Sequence, residues 1–122
     1  MAIAAKPMHK SLNAPDETRP FPHGRNDVVN MGGSVVGRLT LEPGWRWSEN
    51  VKPIAGTSSC QVAHFVYVVS GRLGNRMDSG EEFEVKAGDV AMIPPGHDGW
   101  VVGKETCVVL EMAGAADYAK RK

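Results

Sequence analysis

Glycine and proline divide the chain from Asp27 onward into segments of about five to ten residues, too short for a helix-rich fold. Glycine supplies positive φ at a turn, and proline fixes φ where no backbone donor is needed. Short strands at regular spacing between such turns are typical of an antiparallel sandwich or barrel. The turn signals are Gly32-Gly33, Pro43-Gly44, Ser70-Gly71, Asp78-Ser79-Gly80, Ala87-Gly88 and Pro94-Pro95-Gly96.

The alternation of residues between these turns predicts an all-β domain over residues 27–122. Residues 1–26 contain four prolines and show no strand or helix period, so we predict an extended N-terminal arm with disordered first residues. A short terminal helix is expected over Gly114–Lys122. The predicted strands are Asp27–Met31, Ser34–Leu41, Cys60–Ser70, Arg72–Asp78, Glu81–Val85, Asp89–Ile93, His97–Val102 and Cys107–Met112.

Composition excludes several classes of protein. The chain has 122 residues, which favours a single domain. Fourteen Lys and Arg balance fourteen Asp and Glu, whereas nucleic-acid binders usually carry a basic excess. No stretch approaches the roughly 18 apolar residues of a membrane span, and no secretory signal is visible. We therefore expect a cytoplasmic protein that binds neither nucleic acid nor membrane, with Cys60 and Cys107 as free thiols.

The segment Cys60–Ser70 is the most informative of the predicted strands. Alternate residues of a strand point to opposite faces, and both faces here are largely apolar, as expected of a strand buried on two sides. Cys60 and His64 fall on the same face. A thiol and an imidazole are therefore predicted to share a buried surface.

Two stretches resemble the motifs of the cupin family. Tyr67–Gly71 is similar to the end of the first cupin motif, and Gly88 followed by Pro94-Pro95-Gly96 is similar to the second. The resemblance covers roughly residues 34–112 and implies a double-stranded β-helix (jelly-roll) barrel. Cupins commonly dimerise, so the resemblance also implies a homodimer.

The metal ligands usual in cupins are replaced here. Metal-binding members supply two His and one Glu from the first motif and one His from the second. In this chain the Glu position holds His64, the two His positions of the first motif hold Ser58 and Cys60, and the second-motif position holds Gly99. His97 precedes Gly99 by two residues, so in a regular strand it faces the same way.

A revised metal site can be formed by Cys60, His64 and His97, since a thiolate and two imidazoles suit zinc with an open fourth position. Iron, nickel and manganese are the other candidates. Cys60 and His64 would lie roughly 13 Å apart on an ideal strand, so this site requires a bend between them. Without a metal, Cys60 is a small buried hydrophobe and His64 a hydrogen-bonded core histidine. A Cys60–His64 nucleophile–base pair would need an orienting third group, which the sequence does not supply.

Aromatic residues are the other candidates for a pocket. Trp45 and Trp47 are predicted on one strand face, and with His64, His97 and Trp100 they form the predicted pocket lining.

The ligand pattern and the pocket leave two candidate functions for the protein. The missing usual ligands favour a cupin that binds a small molecule without turnover. The alternative is a divalent-metal enzyme of oxygenase, isomerase or hydrolytic type that uses Cys60, His64 and His97. Whether the protein is an enzyme stays open at this point.

Overall fold

The structure, a computed structural model, describes residues 6–120. Strands form most of the regular structure of this part of the chain, which confirms the all-β prediction. None of its helices is long or apolar enough to cross a membrane. The elements are β1 (Glu17–Phe21), β2 (Gly24–Met31), β3 (Ser34–Leu41), α1 (Trp47–Asn50), α2 (Lys52–Ala55), β4 (His64–Ser70), β5 (Arg72–Met77), β6 (Glu82–Lys86), β7 (Val90–Ile93), β8 (His97–Val101) and β9 (Cys107–Glu111).

These strands form two antiparallel sheets. The larger sheet has the order β1-β2-β3-β9-β4-β7, and the smaller has the order β6-β5-β8. Alternate side chains of Leu39 and Leu41 on β3, Val66 and Val68 on β4, and Val109 on β9 are buried in one core cluster. Full burial of such a side chain contributes about 1.5–3 kcal/mol, so the apolar face of each strand is what holds the sheets together.

Most observed strands begin and end within three residues of the predicted ones. Cys60–Ser70 is the exception, because β4 begins only at His64 and Cys60 forms an isolated bridge with His97 instead. Gly71, the closing residue of the first motif, has φ of +77°. A Cβ there would lie 2.7 Å from the Cα of Cys107, so both the turn and the close approach of β9 require glycine.

The predicted N-terminal arm over residues 1–26 is wrong for its second half. Residues 17–21 form β1, and β2 already begins at Gly24, so the predicted domain boundary falls inside a strand. Pro20 fits because β1 lies at the edge of its sheet, where a missing backbone donor costs no ladder hydrogen bond. Phe21 then packs in the core, 6.4 Å from Trp45 between ring centroids. The disorder predicted for the first residues concerns 1–5, which lie outside the described residues.

The predicted C-terminal helix is replaced by hydrogen-bonded turns over residues 115–119. Arg19 Nη1 donates to the carbonyl oxygens of Ala115, Ala116 and Tyr118 at 3.0–3.1 Å, and Ala119 has φ of +56°, which a continuing helix cannot contain. Asn26 Nδ2 also donates to the Tyr118 carbonyl oxygen. The turns bury the Tyr118 ring at one end of the core. Residues 121 and 122 lie outside the described part of the chain.

An apolar strip lies on the outer face of β4 and β7. Its side chains remain between 38% and 80% exposed, and β7 is the last strand of the larger sheet. An edge strand with exposed apolar residues is a surface that a partner chain would cover. The homodimer stays a prediction. The strip consists of Phe65, Tyr67, Val69, Val90 and Met92.

Candidate metal centre

A crossing between the two sheets brings Cys60 to His64. The Cys60 amide donates to the His97 carbonyl oxygen at 2.8 Å, and the Gly96 amide donates to the Cys60 carbonyl oxygen at 2.7 Å, so Cys60 is attached to the smaller sheet. His64, four residues later, begins β4 of the larger sheet. The chain bends over residues 61–63, and Cys60 Sγ lies 3.7 Å from His64 Nε2. The bend that the metal site requires is therefore present.

His97 completes a compact group of donors. Its ring lies on β8, and its centroid is 5.0 Å from that of His64. The ligand atoms of Cys60, His64 and His97 all lie within 4.8 Å of one another, and all three residues are buried. Donors around a tetrahedral zinc are separated by roughly 3.3–3.6 Å, so a modest side-chain adjustment would close this group on one ion. Gly99 lies on the same inner face as His97, as the strand alternation predicts.

Both histidines use Nδ1 for a hydrogen bond to a group other than the three donor residues, which leaves Nε2 as the ring nitrogen for a metal. His64 Nδ1 lies 2.6 Å from Glu111 Oε2, and His97 Nδ1 lies 2.8 Å from the Pro94 carbonyl oxygen. A carboxylate and a carbonyl accept hydrogen bonds, so each Nδ1 carries the hydrogen. Histidine ligands of protein metals almost always have such a partner, which sets the tautomer and orients the ring. The surroundings of both rings therefore fit metal coordination through Nε2.

Glu111 is the functional residue that the sequence reasoning missed. It is fully buried on β9, where its Oε1 accepts from the backbone amides of Phe65, Ala113 and Gly114 at 2.7–3.1 Å. Its other oxygen accepts from His64. The sequence does contain a sign of it: in the apolar strand Cys107–Glu111, alternation places the Glu111 carboxylate on the same inward face as Cys107 and Val109. Glu111 is also the third group that a Cys60–His64 pair lacked.

The charges of these groups depend on one another. Burial by itself raises the pKa of the Cys60 thiol, but hydrogen bonds with His64 and His97 outweigh it and lower that pKa from 9.0 to about 6. Burial also disfavours a charged His64, yet its bonds to Cys60 and Glu111 raise the pKa of the ring from 6.5 to about 9. Despite burial, the His64 contact holds the pKa of Glu111 below its ordinary value. Both shifts favour a thiolate beside an imidazolium in the metal-free protein.

The two cysteines are expected to ionise at well-separated pH values in metal-free protein. Cys60 should form its thiolate near pH 6, whereas burial raises the pKa of Cys107 to about 11. The thiolate absorbance in the ultraviolet, followed against pH, should show one step near each value. Cys60→Ala should remove the acidic step and Cys107→Ala should keep it. A first step near the ordinary thiol value of about 8.5 would contradict the prediction.

Two neighbouring spaces adjoin the donor group. An inner cavity of about 30 Å³ lies between the sheets, and an outer groove of about 460 Å³ opens beside it. Trp47, Cys60 and Tyr118 line both spaces, so Cys60 is the donor residue that the groove contacts. The Tyr118 ring lies edge-on to His64 with 5.6 Å between centroids.

The predicted pocket residues are only partly brought together. Trp45, Trp47, His64 and His97 line the inner cavity, but Trp100 does not. Trp100 follows the inward Gly99 on β8, so its ring lies on the outer face, under the Arg46 guanidinium at 4.8 Å. Trp45 and Trp47 do not share a strand face either, because α1 begins at Trp47. Both indoles are nevertheless buried.

Comparison with known proteins agrees with this architecture. The sequence profile of the EutQ-like cupin domain matches residues 50–111, just over half of the chain. No curated protein matches the chain in sequence.

Solved structures with the same fold share few of its residues. A protein of unknown function from Rhizobium leguminosarum is similar with a TM-score of 0.64 and 18% identity, over 88% of this chain and 96% of that one. A double-stranded β-helix protein from Klebsiella pneumoniae has a TM-score of 0.60 and 18% identity, over 97% and 93%.

Oxalate decarboxylase from Lactobacillus farciminis, solved as a formate complex, has a TM-score of 0.59 and 19% identity over 84% of this chain. The match spans about a third (32%) of that longer chain. At such identities the similarity concerns the fold, which is the double-stranded β-helix that the two motifs predict. On the profile match and this fold, the chain belongs to the family of EutQ-like cupin domains.

Proposed function

We propose that the protein binds one divalent metal ion through Cys60, His64 and His97, and that a small molecule in the outer groove reaches the ion's open position. One observation carries this proposal: three buried donor side chains have their ligand atoms within 4.8 Å of one another, with Nδ1 of both histidines hydrogen-bonded to Glu111 and to the Pro94 carbonyl oxygen. A thiolate with two imidazoles suits zinc best. The donor geometry thus favours the metal-dependent alternative over a metal-free pocket.

A bound zinc would act as a Lewis acid that polarises an oxygen of the small molecule or of water. The chain's own contribution is orientation and exclusion of solvent. Glu111 holds the His64 ring, and the Pro94 carbonyl holds the His97 ring. Trp45 and Trp47 line the inner cavity beside the centre, and Cys60 also lines the outer groove, which supports an approach from the groove. We propose Lewis-acid chemistry on a small oxygen-bearing substrate as the reaction class.

Metal analysis tests this proposal. Protein purified in reducing buffer, without chelators or a metal column, should contain about one zinc, iron, nickel or manganese per chain. Metal-stripped protein should take up one zinc in competition with a chromophoric chelator, with submicromolar affinity. Cobalt in place of zinc should show a thiolate-to-metal charge-transfer band. Absence of binding for all four metals would overturn the proposal.

A second candidate rests on the alignment of Cys60, His64 and Glu111. Thiolate, imidazole and carboxylate follow one another at 3.7 Å and 2.6 Å, which is the order of a nucleophile, its base and the orienting group. A metal on the thiolate would occupy the nucleophile, so the two candidates exclude each other. In metal-free protein, a burst of one equivalent of nitrophenol from nitrophenyl acetate that is lost in Cys60→Ala would favour this triad. Its absence would eliminate the triad.

A further inference from the structure

Asn75 is a polar residue in the wall of the inner cavity, although only 2% of it is exposed. Its Nδ2 donates to the Leu73 carbonyl oxygen at 3.2 Å, and its Oδ1 makes no hydrogen bond with any described residue. The bond to Leu73 fixes the orientation of the amide, because an exchange of oxygen and nitrogen would place two acceptors against each other. The side chain therefore offers the core a free acceptor, whereas buried polar atoms usually have a partner.

This free oxygen borders open space. A buried asparagine on β2, Asn26, also has an unpaired Oδ1, but that atom is sealed from solvent, whereas Asn75 Oδ1 is not. Asn75 lines the inner cavity and does not line the outer groove. The missing side chain of Gly99 helps to leave this space open, since an added Cβ there would lie 3.6 Å from Asn75 Oδ1.

Strand pairing places Asn75 beside the metal donors. Asn75 on β5 is paired with Gly99 on β8, and His97 lies two residues before Gly99 on the same inner face. Asn75 and His97 are therefore diagonal neighbours, and such positions lie about 7–8 Å apart in a sheet. One small group between them can contact both side chains.

The rest of the cavity wall restricts what this group can be. Trp45 Nε1 is sealed from solvent, and Trp47 and Tyr118 also border the outer groove, so neither of these two is confined to the cavity. The aliphatic wall residues are Leu39, Leu41, Val66, Leu73, Ile93 and Val109. The volume of about 30 Å³ has room for roughly one water molecule. A small, uncharged hydrogen-bond donor fits a lone acceptor among aliphatic side chains, and a hydroxyl group is such a donor.

We infer that Asn75 is a specificity-determining residue, which accepts a hydrogen bond from a hydroxyl group in the inner cavity, either of water or of a small alcohol. The inference rests on the proposed function for the ion, to which the oxygen of the same hydroxyl group would bind. Asn75 orients this group and does not act as a base, because its amide does not take up a proton. A ligand without a hydrogen to donate would leave Oδ1 unpaired, so the site should reject it.

Crystal structures of metal-free wild type and Asn75→Val test the acceptor without any metal. The wild type should hold one ordered water within about 3.2 Å of Asn75 Oδ1. Valine suits a strand and has no acceptor, so the variant should lack this water. An empty inner cavity in the wild type would overturn the inference, as would a water that stays in place in Asn75→Val.

Asn26→Val is the matched control. Asn26 is also a buried strand asparagine whose Nδ2 donates to a backbone carbonyl oxygen, but it lines neither space. The water beside Asn75 should remain in this variant. A methanol soak of wild-type crystals then distinguishes the two sources of the hydroxyl group, because methanol density in place of the water would show that the cavity accepts an alcohol, and unchanged density would restrict it to water.

Cyanide tests the selectivity in metal-loaded protein. This small anion carries no hydrogen, so it can replace the hydroxyl group on the ion but cannot donate to Asn75 Oδ1. The visible spectrum of cobalt-loaded protein would report its binding. We expect cyanide to bind Asn75→Val about tenfold or more tightly than the wild type, at equal cobalt content, and to bind Asn26→Val as it does the wild type. Equal cyanide affinity in the wild type and a folded Asn75→Val protein would overturn the inference.

Failure of the proposed function is seen separately. If no metal binds, the metal content reports that directly, and the metal-free crystal structures still decide whether Asn75 holds a hydroxyl group. If metal binds but no water lies beside Asn75 Oδ1, the proposed function stands and this inference fails. The wild-type crystal structure decides the matter if Asn75→Val does not fold.

Discussion

Replacing Glu111 with alanine is expected to lower the free energy of unfolding by about 3–5 kcal/mol, the range for removing one partner of a buried charge pair. The carboxylate is fully buried and accepts four hydrogen bonds, one from His64 and three from backbone amides. The alanine variant would take this acceptor from all four donors, of which His64 Nδ1 and the Gly114 amide are buried. Urea denaturation of metal-free wild type and variant would measure the change. A loss below about 1 kcal/mol would contradict the role of Glu111 as the anchor of this network.

Glu111→Gln separates stability from the orientation of His64. The amide keeps the volume of the side chain, and its oxygen can still accept from the backbone amides. Its NH₂ group would then face His64 Nδ1 and favour the tautomer that carries hydrogen on Nε2, which cannot bind a metal. We expect this variant to be much more stable than Glu111→Ala, yet to bind zinc about 10–100-fold more weakly than the wild type. Wild-type zinc affinity would show that Glu111 serves folding alone.

Loss of any one donor is expected to abolish stoichiometric metal binding. Two protein ligands remain in each of the variants Cys60→Ala, His64→Ala and His97→Ala. Zinc affinity should therefore fall by roughly 100-fold or more, which exceeds the effect expected for Glu111→Gln. The measurement is the chelator competition used for the wild type. Thermal unfolding with and without zinc provides a second readout, because a ligand that binds only the folded state raises its stability.

Cys107→Ala is the matched control for Cys60→Ala. Both cysteines are buried, and both substitutions remove one thiol, but Cys107 lines neither the inner cavity nor the outer groove. We expect Cys107→Ala to lose some stability through the space it leaves and to keep one zinc per chain. Retention of zinc by Cys60→Ala, or its loss from Cys107→Ala, would place the metal elsewhere.

The fold follows closely from local features of the sequence. Turn glycines such as Gly71 and the alternation of buried residues in Ser34–Leu41 or Cys107–Glu111 are properties of a few neighbouring residues. The prediction that Cys60 and His64 share a buried surface, and that His97 faces the same way as Gly99, came from the same alternation. The two cupin-like motifs added the barrel topology, which the profile match confirms.

The candidate site depended on contacts that no local pattern contains. Alternation along one strand places Cys60 and His64 about 13 Å apart, whereas the crossing between sheets leaves 3.7 Å. Glu111 meets His64 across 47 residues of chain, through the pairing of β9 with β4. Pro20 and Phe21 were wrongly assigned to an arm for a similar reason. Proline is tolerated in an edge strand, and only the sheet order shows that β1 is one.

The sequence by itself determined the all-β class, the shared buried face of Cys60 and His64, and the residue types that suit zinc, while the resemblance to cupins added the barrel. Those properties depend on side-chain period, turn chemistry and ligand chemistry, all of which act over a few residues. Only the tertiary structure decided that Cys60, His64 and His97 converge, that Glu111 holds the His64 ring, and that Trp45 faces the cavity while Trp100 does not. Distances between remote residues depend on strand register and on where the chain changes sheets, and the packing of the whole core sets both.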